Sequence, residues 1–311
     1  MRHLRFWIIC LLFILPIGML CIGTYRFVHR IFAYLNSDAR LAGTMSAEAS
    51  RMLKREVRIG DVHITGNLWS LSAPNTLELS DVSIAESSKF PDGPFAHTDK
   101  AIIHYNISQL LDDADPKMPL LDEIRLIGPQ LTLRRDVKGQ WNYEDLPPNT
   151  IVRPFWDKLT FANGSLTIAD SAFPAPSAKP PHRLATTISG LTGTALIRPD
   201  KTVAFDVAGV PEARFARDFH ITGILQPIPF RASARLLAGQ VNLPFFVAQF
   251  IPPTTARVAS GTADLDISGL YAPPPDTPPN HLAWQALDAQ GTVQLNNVTA
   301  DGPQFGAPVQ N

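Results

Sequence analysis

The chain has 311 residues, with 27 Lys and Arg against 28 Asp and Glu and a net charge of −1. That balance excludes the basic excess of a nucleic-acid binder and the acidic excess of a solvating tail. Twenty-eight prolines disfavour a long-helix bundle, and two cysteines, Cys10 and Cys21, exclude a disulfide scaffold, a thiolate zinc site and a cysteine nucleophile beyond residue 21.

Residues 1–5 form a short polar tail. Phe6 to Tyr25 (FWIICLLFILPIGMLCIGTY) carries no charge and is long enough to span a hydrocarbon core of ~30 Å. Pro16 kinks such a helix without forbidding it. The alternative is a cleaved signal peptide, but no small-x-small site follows the apolar run. The reading adopted is a retained single-pass anchor, with the short tail in the cytoplasm and the rest outside. In a Gram-negative cell that compartment is the periplasm. Residues 27–55 are rich in helix formers and read as a helical connector, with a helix expected from about Ser46 to Lys54.

From Glu56 the period changes to two. Val57 and Ile59 alternate with charged residues, Gly60-Asp61 intervenes, and Val62 and Ile64 follow. Leu77 and Leu79 repeat the pattern, as do Ile124 and Leu126 before Gly128-Pro129 and Leu131 and Leu133 after it. Asp136–Gly139 reads as a turn, with Trp141 and Tyr143 beginning a return strand. Leu159 and Phe161 precede Asn163-Gly164, a favoured hairpin pair, and Leu166 and Ile168 resume. Alternation continues over 183–299, where Gly164, Gly193, Gly261 and Gly291 each precede Ser or Thr and another alternating run. Each glycine reads as the turn before a strand. Leu243 to Ile251 is the exception and predicts one or two turns of helix, ended by Pro252-Pro253. The proline-rich stretches 173–181 and 273–279 read as stiff surface connections. Residues 300–311 are expected to be a disordered tail or to leave the sheet with an open final edge. The whole predicts a mainly β, antiparallel protein with one apolar and one polar face. About fifteen strands at ~4.8 Å each would span on the order of 70 Å.

The search for chemistry is negative. The eight histidines lack HExxH spacing, and no GxSxG, P-loop or strand-linked GxGxxG occurs. Asp112, Asp113 and Asp115 lack EF-hand spacing and read as a solvated loop. No cofactor, metal or catalytic residue is expected. A triad of Asp61 and His63 with Ser46 or Ser70 has no spacing to support it.

The order of elements resembles the AsmA family of bacterial envelope proteins. An anchor and short helix precede Arg55–Val62 (REVRIGDV). Leu77–Ile84 (LELSDVSI) and Phe95–Ala101 follow. Ile124–Leu133 (IRLIGPQLTL) then leads to Asp136, Gly139 and Trp141–Leu146 (WNYEDL). The likeness covers about residues 1–170, with 56–170 as an AsmA-like region and 183–299 sharing only the strand-glycine rhythm. The resemblance implies an inner-membrane protein with a periplasmic β-groove, related to chorein-type lipid transfer proteins and serving outer-membrane biogenesis. It implies phospholipids as ligand and no enzymatic activity. Burying acyl chains at ~0.8 kcal/mol per CH₂ needs only a continuous apolar face. The groove liners expected on this view are Val57, Ile59, Leu77, Leu79, Ile124, Leu126, Leu131, Leu133, Leu166 and Ile168. The same residues packing on one another would instead make a closed β-sandwich. A scaffold for outer-membrane proteins remains as a second reading, with another envelope protein or a further copy bound at the terminal sheet edge. An anchored hydrolase is the third.

Overall fold

The computed structural model describes residues 38–66, 74–90, 93–106, 121–146, 156–171, 184–226, 230–250, 257–274, 286–301 and 309–310. The apolar segment Phe6–Tyr25, the acidic cluster at 112–115 and most of both proline-rich stretches lie outside them. No helix among the described residues is long and apolar enough to cross a membrane.

The protein is mainly β. Helix α1 (Asp38–Leu53) is followed by β1 (Val57–Thr65), β2 (Pro74–Ala85), β3 (Pro94–Asn106), β4 (Leu121–Ile127), β5 (Gln130–Arg135), β6 (Trp156–Asp170), β7 (Leu184–Ile197), β8 (Val203–Pro211), β9 (Asp218–Gln226) and β10 (Arg231–Asn242). Helix α2 (Leu243–Phe250), β11 (Arg257–Tyr271), β12 (Leu287–Asp301) and β13 (Val309–Gln310) complete it. All thirteen strands join one sheet in chain order, with β4 and β5 sharing one position between β3 and β6.

Two expectations are corrected here. The sheet is mixed, because β6 runs parallel to β4 and β5 while every other pairing is antiparallel. Trp141 does not begin a return strand. It makes a single bridge to Arg135, and residues 142–145 are turns. The Asn142 side chain takes the place of that strand. Its Oδ1 accepts from Arg134 N at 3.0 Å, and its Nδ2 donates to Thr132 O and to Glu86 Oε2, both at 2.8 Å. Arg55 Nη2 donates to the Asn142 carbonyl and pairs with Asp145, and its guanidinium lies 4.6 Å over Phe95. This buried cation clips the crossover to the start of β1.

The glycine-containing breaks are not turns. Asn163-Gly164 sits inside the unbroken β6, and Gly193, Gly261 and Gly291 sit inside β7, β11 and β12. Several are bulges. Asp81, Asn163, Gln240 and Asn297 have left-handed backbones, as do Gly128, Gly190 and Gly261. In register these positions form a line across the sheet from Asp81 to Asn297, interrupted at β3, β8 and β9. A bulge bends its strand and moves the side-chain alternation by one residue. At Asp81 and at Gly128 a left-handed residue accompanies the same change of phase without a register shift, so Leu77/Leu79 and Val82/Ile84 join one core despite opposite parity, as do Ile124/Leu126 and Leu131/Leu133. A sequence reader sees the same phase slip as a chain reversal.

The helix expected from Ser46 begins eight residues earlier, at Asp38. Ala42, Met45, Ala49 and Leu53 make its buried stripe, and Lys54 ends it in the left-handed conformation. Ser46 and Ser50 lie one turn apart and accept the backbone N–H groups of Ile59 (3.1 Å) and Val57 (2.8 Å). Alpha-helical and β spacing match here, so α1 covers the outer edge of β1. Leu243–Phe250 is helical as expected, with Asn242 Oδ1 capping it through Phe245 N at 3.1 Å. The tail differs from expectation: β12 runs to Asp301, and Val309–Gln310 pair with Thr299 and Ala300.

Candidate functional site

The apolar face is the feature that function has to explain. One row in register reads Val62, Leu79, Ala101, Leu126, Phe161, Gly193, Val207, Ile221, Leu236, Ile267 and Gly291. Burial along it is graded. From Val62 to Ile221 the row belongs to a single core cluster or packs against it. Leu236 and Ile267 are half-buried, and Gly291 is exposed.

Nine of the ten residues expected to line a groove are buried: Val57, Ile59, Leu77, Leu79, Ile124, Leu126, Leu131, Leu133 and Leu166. Ile168 is partly buried against the same cluster. Leu79 and Leu133 have 0% exposure, so they offer no surface to a ligand in this conformation. The structure brings all ten together, as a packed core.

Two cross-strand pairs show how tightly that core is built. A Cβ added to Gly193 would meet Phe161 Cζ at 2.5 Å, and one added to Gly223 would meet Phe205 Cζ at the same distance. Each ring lies over the glycine directly opposite it, which replaces the missing side chain with aromatic carbon. At Gly269, on β11, the nearest atom to such a Cβ is 3.7 Å away. The packing has loosened by that strand.

The residues that sequence reasoning missed are on β10–β12. Val293 is 53% and Leu295 46% exposed, yet their register partners Leu265 and Ala263 belong to a small second core with Ala216, Ala238, Val241 and Leu243. Helix α2 contributes Leu243 to this core, and Phe245 meets Phe215 edge-on at 4.4 Å. Arg214 lies over both rings. The signal in sequence was the alternation Val293/Leu295 itself, which is the same in an open and a closed face.

The opposite face is polar. Ion pairs bridge neighbouring strands at Lys100–Glu78 (2.6 Å), Lys158–Glu123 (2.9 Å) and Arg235–Asp266 (2.6 Å), and a hydrogen bond joins His220 Nε2 and Asp206 Oδ1 at 2.8 Å. A depression of about 530 Å³ on this side is lined by Glu123, Arg125, Lys158, Thr160, Thr194 and Asp206 among others. Burial pushes the Glu86 carboxyl up, against the lowering effects of Asn142, the Ser87 N–H, Arg55 and Arg134. That group sits in the crossover clip and has a structural role.

No family model matches the chain, and no curated protein matches it. Among the described residues, no three His, Cys, Asp or Glu side chains stand close enough to hold a metal ion. Ser46 is engaged with β1 through Ile59, and Asp61 Oδ1 accepts from Val62 N at 2.9 Å. Ser70 lies outside the described residues. What the arrangement offers chemically is apolar surface, sealed at one end of the sheet and open at the other.

Proposed function

We propose that this is an AsmA-like, inner-membrane-anchored periplasmic protein that shields phospholipid acyl chains on the apolar face of a curved sheet, in support of outer-membrane biogenesis. It acts by binding, without an enzymatic step. The observation that carries the reading is the gradient of burial on one continuous apolar face, from a dry core under β1–β9 to Val293 and Leu295 on β12. Exposed apolar positions contiguous with a core mark an interaction site, and a polar opposite face keeps such a sheet in water. The acyl-chain contacts are Leu236, Leu265, Ile267, Val293 and Leu295, while the N-terminal residues of the face hold the sheet together.

The test is mass spectrometry of lipid retained by residues 27–311 expressed without the apolar segment and purified without detergent. Stoichiometric phospholipid is expected, reduced in Val293→Asp and in Leu295→Asp. A folded protein free of lipid would falsify the proposal and favour the scaffold reading.

A further inference from the structure

The depression on the polar face has a use that the apolar face does not explain. Its volume of about 530 Å³ falls in the range of about 300–1,000 Å³ usual for small-molecule sites. Its walls come from β4, β6, β7 and β8. Bulges adjoin it, with register shifts at Gly164 between β6 and β7 and between Ser189 and Thr192 on β7. Bulges bend strands and re-aim side chains beside sites. One row in register crosses the depression and reads Arg125, Thr160, Thr194 and Asp206. A guanidinium stands at one end of this row and a carboxylate at the other, three strand spacings or about 14 Å apart along the sheet. The side chains between them are short.

The charges around the depression are not equally occupied. Lys158 Nζ lies 2.9 Å from Glu123, and Thr160 Oγ1 donates to the same carboxylate at 3.5 Å. Asp206 Oδ1 lies 2.8 Å from His220 Nε2, while its Oδ2 has no hydrogen bond among the described residues. Arg125 is exposed, and its register neighbours are Ile102 and Thr160. Among the described residues it makes no ion pair and no hydrogen bond.

We infer that this depression binds a small zwitterionic phosphate ester, with its phosphate on Arg125 and its ammonium on Asp206. The Arg125 fork matches two oxygens of a phosphate, and Thr192 and Thr194 line the same depression. The open Oδ2 of Asp206 supplies the acceptor for an ammonium. Two threonines separate the charged ends of the row, so the two charges of the ligand lie several bonds apart, which excludes an α-amino acid. The same group is carried by a lipid headgroup or by a free ester such as glycerophosphoethanolamine. The site lies on the opposite side of the sheet from the apolar face, so it is independent of acyl-chain binding, and either reading can fail alone.

The test is calorimetric titration of the full chain in mild detergent with glycerophosphoethanolamine. Glycerophosphoglycerol, which has the same phosphate and no ammonium, is the comparison. The first is expected to bind about tenfold or more tighter than the second, and Arg125→Ala to weaken both by about tenfold or more. Asp206→Asn should bring the first down to the second and leave the second unchanged. If Arg125→Ala does not fold, the Asp206→Asn comparison still decides. Dihexanoyl-phosphatidylethanolamine identifies the source. Binding of it that depends on Arg125 assigns the group to a lipid, and binding of the free ester alone assigns it to a soluble molecule; each upholds the site. Equal binding of the two esters by the parent, binding of glycerophosphoethanolamine unchanged in Arg125→Ala, or no binding of either ester overturns the inference.

Discussion

Strands β1–β9 and strands β10–β12 present the same alternation of apolar and polar residues, yet they differ in what that alternation achieves. Alternate side chains of β1–β9 on one face are buried in one cluster or pack, partly buried, against it. On β10 the equivalent positions are half-buried until Val241, and on β12 they are exposed. Residue size accounts for part of this. The N-terminal strands contribute Leu, Ile, Val and Phe, whereas β10 and β12 contribute Ala232, Ala234, Ala238, Ala289 and Gly291 at matching rows. Position accounts for the rest, since α1 and the crossover clip pack onto the N-terminal half alone. An apolar pattern becomes a core only where a second layer exists to meet it.

The sharpest way to test this difference is to remove the clip. Arg55→Met leaves the Glu86 carboxylate, 4% exposed, facing a lost partner, and should cost about 3–5 kcal/mol. Urea unfolding measures it, and a loss under about 1 kcal/mol would reduce the clip to an ordinary surface pair. Next comes direct comparison of the two ends. Leu79→Ala should cost about 2–5 kcal/mol, whereas Val293→Ala should stay within about 0.5 kcal/mol. Equal costs would break the distinction between closed and open regions. Glycines sharpen it further. Gly223→Ala drives a methyl into Phe205 and should cost about 1–3 kcal/mol. Gly269→Ala, with 3.7 Å of clearance, should be nearly neutral by the same assay.

A smaller effect is expected at the covered edge. Ser50→Ala removes the acceptor for Val57 N and should cost about 1 kcal/mol. Hydrogen exchange should report faster exchange at the Val57 amide. The smallest effect concerns pH. Burial raises the Glu86 carboxyl above its ordinary 4.5, so the folded protein holds that proton more tightly than the unfolded one. The associated stability is complete below the ordinary value and is lost as pH rises through the elevated one. Asp157 is shifted upward too, by burial first and then by Asp122. The exposed carboxylates of Asp264 and Asp266 are held low by their hydrogen bonds, to Gln240 N and to Arg235 respectively, and lose their contribution only below 3.8. As pH falls from 7 towards 4.5 the wild-type melting temperature should therefore rise relative to that of Glu86→Gln, as read by scanning calorimetry.

Several features were legible in the residues themselves. The period-two runs predicted the mainly β class, and Leu243–Ile251 predicted α2 to within a residue. The ten expected apolar positions do share one cluster. The errors have a common origin. Asn163-Gly164 carries the residue types that make turns, and a bulge needs the same left-handed backbone, which Asn163 adopts. Only the pairing of both neighbours distinguishes the two. Trp141 and Tyr143 look like the start of a strand, but the Asn142 side chain occupies the hydrogen-bonding sites that strand would need. Ser46 and Ser50 gave no edge signal, because their role depends on α1 lying against β1.

By itself, the sequence determined the alternation, its apolar face and the neutrality of the last long strand, since these depend on residue identity and the two-residue repeat of extended backbone. Which part of that face is closed and which is open, the parallel placement of β6, and the covering of the β1 edge by α1 were decided by tertiary structure. Each depends on what packs against a strand, and that is a property of neighbours distant in the chain.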